Sequence, residues 1–222
     1  MACGIEAVDD PLANRVRVLG DQAAGDDERA TDRLQRYLDL LSKWNRTYNL
    51  TGITGREQMV THHLLDSLSI VEPIDQMLGA RAAPRILDVG TGAGLPGIAL
   101  AVIRPRWQVT MLDSIGKKVA FVTQAIAELG LLNATAIAAR VENFRGEAND
   151  VIVSRAYASL RNFTAQTRHL LAPDGVWAAM KGTHPATELR ELHPDIECID
   201  ALPICVQGLD AARHLILLKV KR

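Results

Sequence analysis

Aromatic side chains are scarce in this 222-residue chain: three Trp, three Tyr and three Phe make up 4% of it. So few rings argue against a surface that holds nucleic acid by stacking many bases. Cysteine is scarcer still, with only Cys3, Cys198 and Cys205. Three thiols at these spacings form neither a disulfide framework nor a metal site, so reduced thiols in a cytosolic protein are expected. No apolar run reaches 18 residues, which excludes a membrane-spanning helix, and the basic start and apolar stretch of a secretory signal are missing. There is no internal repeat and no low-complexity tract. Nor does either sign of charge dominate: 25 Lys and Arg face 26 Asp and Glu, for a net −1. That balance alone disfavours a strongly basic nucleic-acid binder. What is present, 48% hydrophobic residues, suffices for one well-packed domain with a small appendage.

The charge is unevenly spread. Residues 1–30 hold seven acids against three bases, a net −4, which leaves +3 on residues 31–222. With few large apolar residues, 1–30 reads as a poorly ordered acidic tail. Residues 31–80 then read as an N-terminal helical cap. Leu34, Leu38, Leu41 and Tyr48 recur at helical spacing, with Tyr37 and Trp44 beside them as core residues, until Asn49-Leu50-Thr51-Gly52 breaks the pattern. A second helical stretch covers 55–78. From 81 onwards strands alternate with helices: strands at 85–89, 108–113, 134–139, 150–154 and 176–181, helices at 95–103, 116–130 and 159–171, a turn at Pro173-Asp174-Gly175, and a closing hairpin from 196–204 and 214–220. This order predicts a mostly parallel, doubly wound α/β sheet, with cap and core as one unit.

The densest motif is Asp88-Val-Gly90-Thr-Gly92-Ala-Gly94-Leu95-Pro96-Gly97, where the first strand turns into a helix. Glycines there allow a sharp turn and a close ligand approach. Asp113, ending the next strand, suits a ribose diol. Two ligands compete. Gly92-x-Gly94-x-x-Gly97 with Asp113 satisfies a dinucleotide fingerprint, so a nicotinamide-dependent oxidoreductase is one reading. S-adenosylmethionine is the other and is favoured by Asp88, whose carboxylate suits the ammonium of a methionine moiety and would repel a pyrophosphate. At the end of the fourth strand stand Ser154-Arg155-Ala156-Tyr157. They lack the Pro-Pro-aromatic motif of base-amino methylation, and no cysteine lies where pyrimidine C5 methylation needs one. Transfer to an atom with a ready lone pair, or to an oxygen, remains.

Several segments together resemble the bacterial 16S ribosomal RNA guanine-N7 methyltransferase family. They are Trp44-Asn45, Asn49-Leu50-Thr51, His63-Leu-Leu-Asp66-Ser67-Leu68, the glycine motif, Leu112-Asp113-Ser114 with Lys117-Lys118, Arg140-Val141-Glu142, Val153 to Leu160, Met180-Lys181-Gly182 and Arg213-His214-Leu215, in one order across about 33–220. Tyr157 stands where Phe is common and Asn143 where a second acid is common.

The resemblance implies a Rossmann-like class I methyltransferase: a seven-stranded, mostly parallel sheet with an antiparallel last strand under a helical cap. It implies S-adenosyl-L-methionine as cofactor, held by Asp88, Gly90, Gly92, Gly94, Leu95, Asp113, Val141, Glu142 and Arg155. The partner it implies is 16S ribosomal RNA, naked or within a small-subunit assembly particle, and the enzyme is expected to act as a cytoplasmic monomer. Guanine N7 carries a lone pair and no proton, so no general base and no metal is expected. Arg155 is expected to position, by binding a carboxylate or by donating to guanine O6. His63, Lys117, Lys118, Lys181 and Arg213 are the candidate RNA contacts. The oxidoreductase, and a non-catalytic ribosome-assembly RNA-binding protein, are the alternatives.

Overall fold

The computed structural model describes residues 10–20, 26–155, 157 and 159–221. Seven strands form one sheet: β1 (Arg85–Val89), β2 (Gln108–Asp113), β3 (Ala134–Ala138), β4 (Asn149–Arg155), β5 (Leu171–Lys181), β6 (Ile196–Ile204) and β7 (Arg213–Val220). Their order is β3-β2-β1-β4-β5-β7-β6. The pairings from β3 through β5 are parallel, and β7 runs antiparallel to both β5 and β6. Strand order reverses between β1 and β4, so a ligand crevice belongs at their carboxyl ends.

Three core helices follow their strands: α6 (Gly97–Ile103), α7 (Gly116–Leu129) and α8 (Leu160–Thr167). A short α9 (Ala186–Arg190) precedes β6. The cap holds α1 (Pro11–Leu19), α2 (Asp26–Tyr48), α3 (Arg56–Met59), α4 (Asp66–Leu68) and α5 (Val71–Leu78), with a π-helical turn at Val60–Leu65 between α3 and α4. One hydrophobic cluster joins cap residues such as Leu34, Leu38, Leu64 and Ile74 to Ile86, Val109, Phe121 and Val153. The other face of the sheet packs around Leu87, Ile152, Phe163 and Trp177.

Two expectations are corrected. The tail does not extend through residue 30. Asp10 accepts from the Leu12 N–H (2.9 Å) and Pro11 opens a helix, the usual chemistry of a helix start. Its Leu12, Val16 and Leu19 are buried at 0–3% exposure, which stabilises by roughly 1.5–3 kcal/mol for each large side chain. α2 likewise begins at Asp26; residues 1–9 and 21–25 lie outside the described residues. The turn at Pro173-Asp174-Gly175 lies inside β5. Asn149 pairs with Leu171 and Val151 with Val176, so the three turn residues bulge out of the ladder, where a proline without an N–H is tolerated.

Candidate active site

The glycine loop is folded by buried polar contacts. Asp88 is fully buried, and its Oδ2 accepts from Thr91 Oγ1 (2.6 Å) and from the Gly97 N–H (2.9 Å). Burial raises its carboxyl to about 6, against the pull of those two donors and of Arg155. Asp113 accepts from the Gly92 N–H at Oδ2 and from the Ile115 N–H at Oδ1, both at 2.9 Å. The Tyr37 hydroxyl of α2 donates to the Ala93 carbonyl (2.6 Å), fastening the loop to the cap. Gly90 and Gly92 have φ of +70° and +60°, a region that side chains rarely adopt, and no atom lies within 3.8 Å of a Cβ built at either. Of the two, Gly90 is exposed and Gly92 half-buried. Gly94 faces the core instead: a Cβ there would meet Ile98 at 2.9 Å and Val122 at 3.2 Å.

Two cavities flank Tyr157. The first, about 160 Å³, is lined by Val89, Gly90, Leu112, Asp113, Ser114, Ala139, Arg140, Val141, Glu142 and Tyr157. It has apolar walls suited to a flat ring and two carboxylates suited to a diol. The second, about 470 Å³, is lined by Ile53, His62, His63, Asp66, Arg155, Tyr157, Met180, Lys181, Gly182 and Arg213. Tyr157 is common to both. Its ring lies 5.4 Å from Phe163 and its hydroxyl donates to Gln166.

In the second cavity Asp66 binds two arginines. Its Oδ1 accepts from Arg213 Nε (2.9 Å), and its Oδ2 from Arg155 Nη1 (3.4 Å), which also donates to the His62 carbonyl (3.2 Å). The Asp66 side chain is 4% exposed, while the arginines are 26% and 25% exposed. One buried carboxylate against two cations leaves the wall net positive. Thr51 Oγ1 accepts from the Ile53 N–H and hydrogen-bonds His63 Nε2 (2.9 Å). Asn45 clamps Thr51 through its backbone N–H and carbonyl. Burial, and then Arg155, lower the His63 ring to about 4, so it is neutral at pH 7.

The family profile described as rRNA small subunit methyltransferase G matches residues 30–216. The chain belongs to that family. It is 51% identical to the ribosomal RNA small subunit methyltransferase G of Chromohalobacter salexigens over 196 residues, 88% of this chain and 90% of that protein. Against its counterpart in Leptothrix cholodnii it is 46% identical over 188 residues, 85% and 86% of the two chains. Its fold resembles that of TrmN from Thermus thermophilus (TM-score 0.55, 20% identity, 69% of this chain and 48% of that one). It also resembles a SAM-dependent methyltransferase from Aquifex aeolicus (TM-score 0.55, 16% identity, 73% and 93%). These likenesses fix the fold as that of the S-adenosylmethionine-dependent methyltransferases.

Gly90, Asp113, Val141 and Glu142 meet in the first cavity. His63, Arg155, Lys181 and Arg213 meet in the second. Other placements differ from expectation. Asp88 lies beneath the loop, because its carboxylate is used to fold the loop backbone. Gly92 is half-buried, Gly94 and Leu95 are buried, and none of the three lines either cavity. Lys118 turns to Asp113 at 3.9 Å. Lys181, 13% exposed, is bound to Glu188 at 2.9 Å. Glu188 also accepts from the Leu160 N–H, so that pair anchors the start of α8. His63 is a buried member of the cap network. Among the RNA candidates Lys117 remains exposed, donating to the Tyr48 carbonyl. Sequence reasoning passed over Tyr37, Asn45, Thr51 and Asp66 as site-shaping residues. Asp66 sits three residues after His63 in a conspicuous segment, yet its partners come from β4 and β7, far away in sequence.

Proposed function

We propose that this protein transfers the methyl group of S-adenosylmethionine to N7 of one guanine in 16S ribosomal RNA, within the cytoplasm. The observation that carries this reading is the pair of cavities meeting at Tyr157, one suited to an adenosine and the other cationic and large enough for a nucleotide. The open backbone at Gly90 and Gly92, the carboxylates of Asp113 and Glu142, and the apolar walls at Leu112 and Val141 fit the adenosine part of the cofactor. The cofactor supplies a sulfonium methyl that an in-plane lone pair displaces directly. N7 has that lone pair and no proton, so no side chain has to act as a base. Asp66, bound to two arginines, and neutral buried His63 suit scaffolding rather than proton transfer.

The chain's own contribution is alignment, which supplies on the order of 7–11 kcal/mol when the geometry is good. Asp66 and the His62 carbonyl hold Arg155 at the second cavity. From there its guanidinium donates to guanine O6, selecting guanine over adenine, whose corresponding group is itself a donor. Tyr157 offers a ring face for the base, which has to leave its helix to enter. Arg213 meets the nucleotide's phosphate.

One observation speaks against a dinucleotide. A pyrophosphate would sit at the N-terminus of the helix after the glycine loop, but the Gly97 N–H there already donates to Asp88, and every residue of α6 is buried.

The test is methylation of small subunits from cells lacking this enzyme, followed by mapping of N7-methylguanine. One labelled guanine in 16S RNA is expected; a label elsewhere, or none, rejects the assignment. Thermal stabilisation by S-adenosylhomocysteine and none by NAD is expected alongside.

A further inference from the structure

Beside the crevice the surface changes character. Tyr48, the last residue of α2, is 41% exposed, and Ile115, just before α7, is 42% exposed. The Tyr48 ring leans on Trp44 (5.0 Å), which meets Phe121 of α7 edge-on (5.6 Å). Lys117 of α7 donates to the Tyr48 carbonyl (3.2 Å). The two chain segments that meet here contain no acid at all, from Leu40 to Gly55 and from Ser114 to Ile126. They carry Lys43, Arg46, Lys117 and Lys118. Only Lys118 has an acidic partner among the described residues, Asp113. Tyr48 is also the only aromatic among the exposed large hydrophobic residues described. Asn49, at φ +49°, turns the chain out of α2. The loop then runs to Thr51, bonded to His63, and to Ile53 in the wall of the second cavity. The patch is therefore joined to the wall of that cavity by the short stretch of chain from Tyr48 to Ile53.

We propose that Tyr48, supported by Trp44 and flanked by Ile115, stacks an unpaired RNA base next to the methylated guanine, while Lys43, Arg46 and Lys117 bind the neighbouring phosphates. The proposal rests on the function above. A rigid exposed ring among unpaired cations matches a single strand, which offers both a base face and a phosphate to each nucleotide. A duplex hides its base faces and leaves this ring nothing to stack on. Stacking on one ring contributes about 1–3 kcal/mol per base, or about 5- to 150-fold in affinity.

The experiment compares wild type with Tyr48→Ala, Tyr48→Phe and a Lys43→Ala/Lys117→Ala double variant. It measures methylation of small subunits, filter binding to naked 16S RNA, and calorimetry with S-adenosylhomocysteine. Tyr48→Ala is expected to raise KM for RNA about 5- to 150-fold and to weaken binding to naked RNA in proportion. Its kcat and its S-adenosylhomocysteine affinity stay within about twofold, and Tyr48→Phe behaves as wild type. The double lysine variant is expected to lower the slope of log K against log salt by about 0.7 per lysine. Tyr48→Ala with an unchanged KM, Phe and Ala variants equally impaired, or an unchanged salt slope would each overturn the proposal. So would a raised KM on subunits with normal binding to naked RNA, which marks a ribosomal-protein contact. Wild type that leaves subunits unmethylated overturns the function and not the stacking, which filter binding still decides.

Discussion

Asp88 carries an unusual burden for one side chain. It is sealed beneath the glycine loop, with Oδ2 accepting two donors and Oδ1 without a hydrogen-bond partner among the described residues. Burial holds its carboxyl near 6, above the ordinary 3.8. Between those two values the folded protein keeps a proton that the unfolded chain has released, so this group makes stability fall as pH rises from about 4 to about 6. Asp88→Asn lacks that titration. Its stability minus that of wild type is expected to increase by up to about 3 kcal/mol between pH 4 and pH 7. Urea unfolding at both pH values measures this, and a difference independent of pH would reject it. Asp66 makes the second prediction. Asp66→Asn removes the charge that fixes Arg155 and Arg213. Methyl transfer is expected to fall on the order of 100-fold, the effect of a small misplacement at a reacting centre. Affinity for S-adenosylhomocysteine, whose adenosine site lies across Tyr157, should change only a few-fold. Equal losses in single-turnover rate and in calorimetric affinity would show that Asp66 supports the whole site rather than Arg155. Glycines and acids at this loop were legible in the sequence because the motif is local. That Asp88 would turn inward and Asp113 stay in the crevice was not, because it depends on which backbone N–H groups each carboxylate meets after folding.

At the scale of elements, α1 is the instructive case. Its Leu12, Val16 and Leu19 follow a helical stripe behind Asp10-Pro11, a start signal visible in the sequence. The acids of residues 21–28 dominated the composition of that segment and concealed a nine-residue helix within it. Once docked, α1 is secured by polar contacts as well: Arg104 donates to the Leu19 carbonyl (2.7 Å), and Arg15 reaches Glu72 (2.8 Å) and the Leu68 carbonyl. Leu12→Ala is therefore expected to destabilise the protein by about 2–5 kcal/mol, as truncation in a packed core does. An exposed tail would show no change, so a urea midpoint equal to wild type would contradict the docking of α1. The strands were easier to read. Parallel core strands such as Ile86–Val89 and Val151–Val153 are near-continuous apolar runs, and turns separate them. The bulge in β5 was missed because Pro-Asp-Gly carries the same local signal in a turn as in a bulge.

Over the whole molecule, cap and core share one cluster of buried side chains, and polar ties cross between them. Tyr37 to Ala93, Asp66 to Arg155 and Arg213, and Arg104 to Asp75 (2.5 Å for the closest pair) each join a cap helix to the sheet unit. Removing the cap would uncover the faces of α6 and α7 on which α2 and α4 pack, and would release the loop at Ala93. Neither part retains a closed hydrophobic core alone, so the two are expected to unfold in a single cooperative transition. The tryptophans make this measurable: Trp44 reports on the cap, while Trp107 and Trp177 are buried against the sheet at 4% and 0% exposure. Trp44→Phe and Trp107→Phe/Trp177→Phe variants separate the two signals, and far-UV circular dichroism follows the whole. All three probes should give the same urea midpoint and slope, and S-adenosylhomocysteine should shift all three together, because a ligand of the crevice stabilises whatever unfolds with it. A cap signal lost at lower urea, with the core signal intact, would instead mean that the helices covering the second cavity open by themselves, and substrate entry would then be a motion of the cap rather than of the base alone.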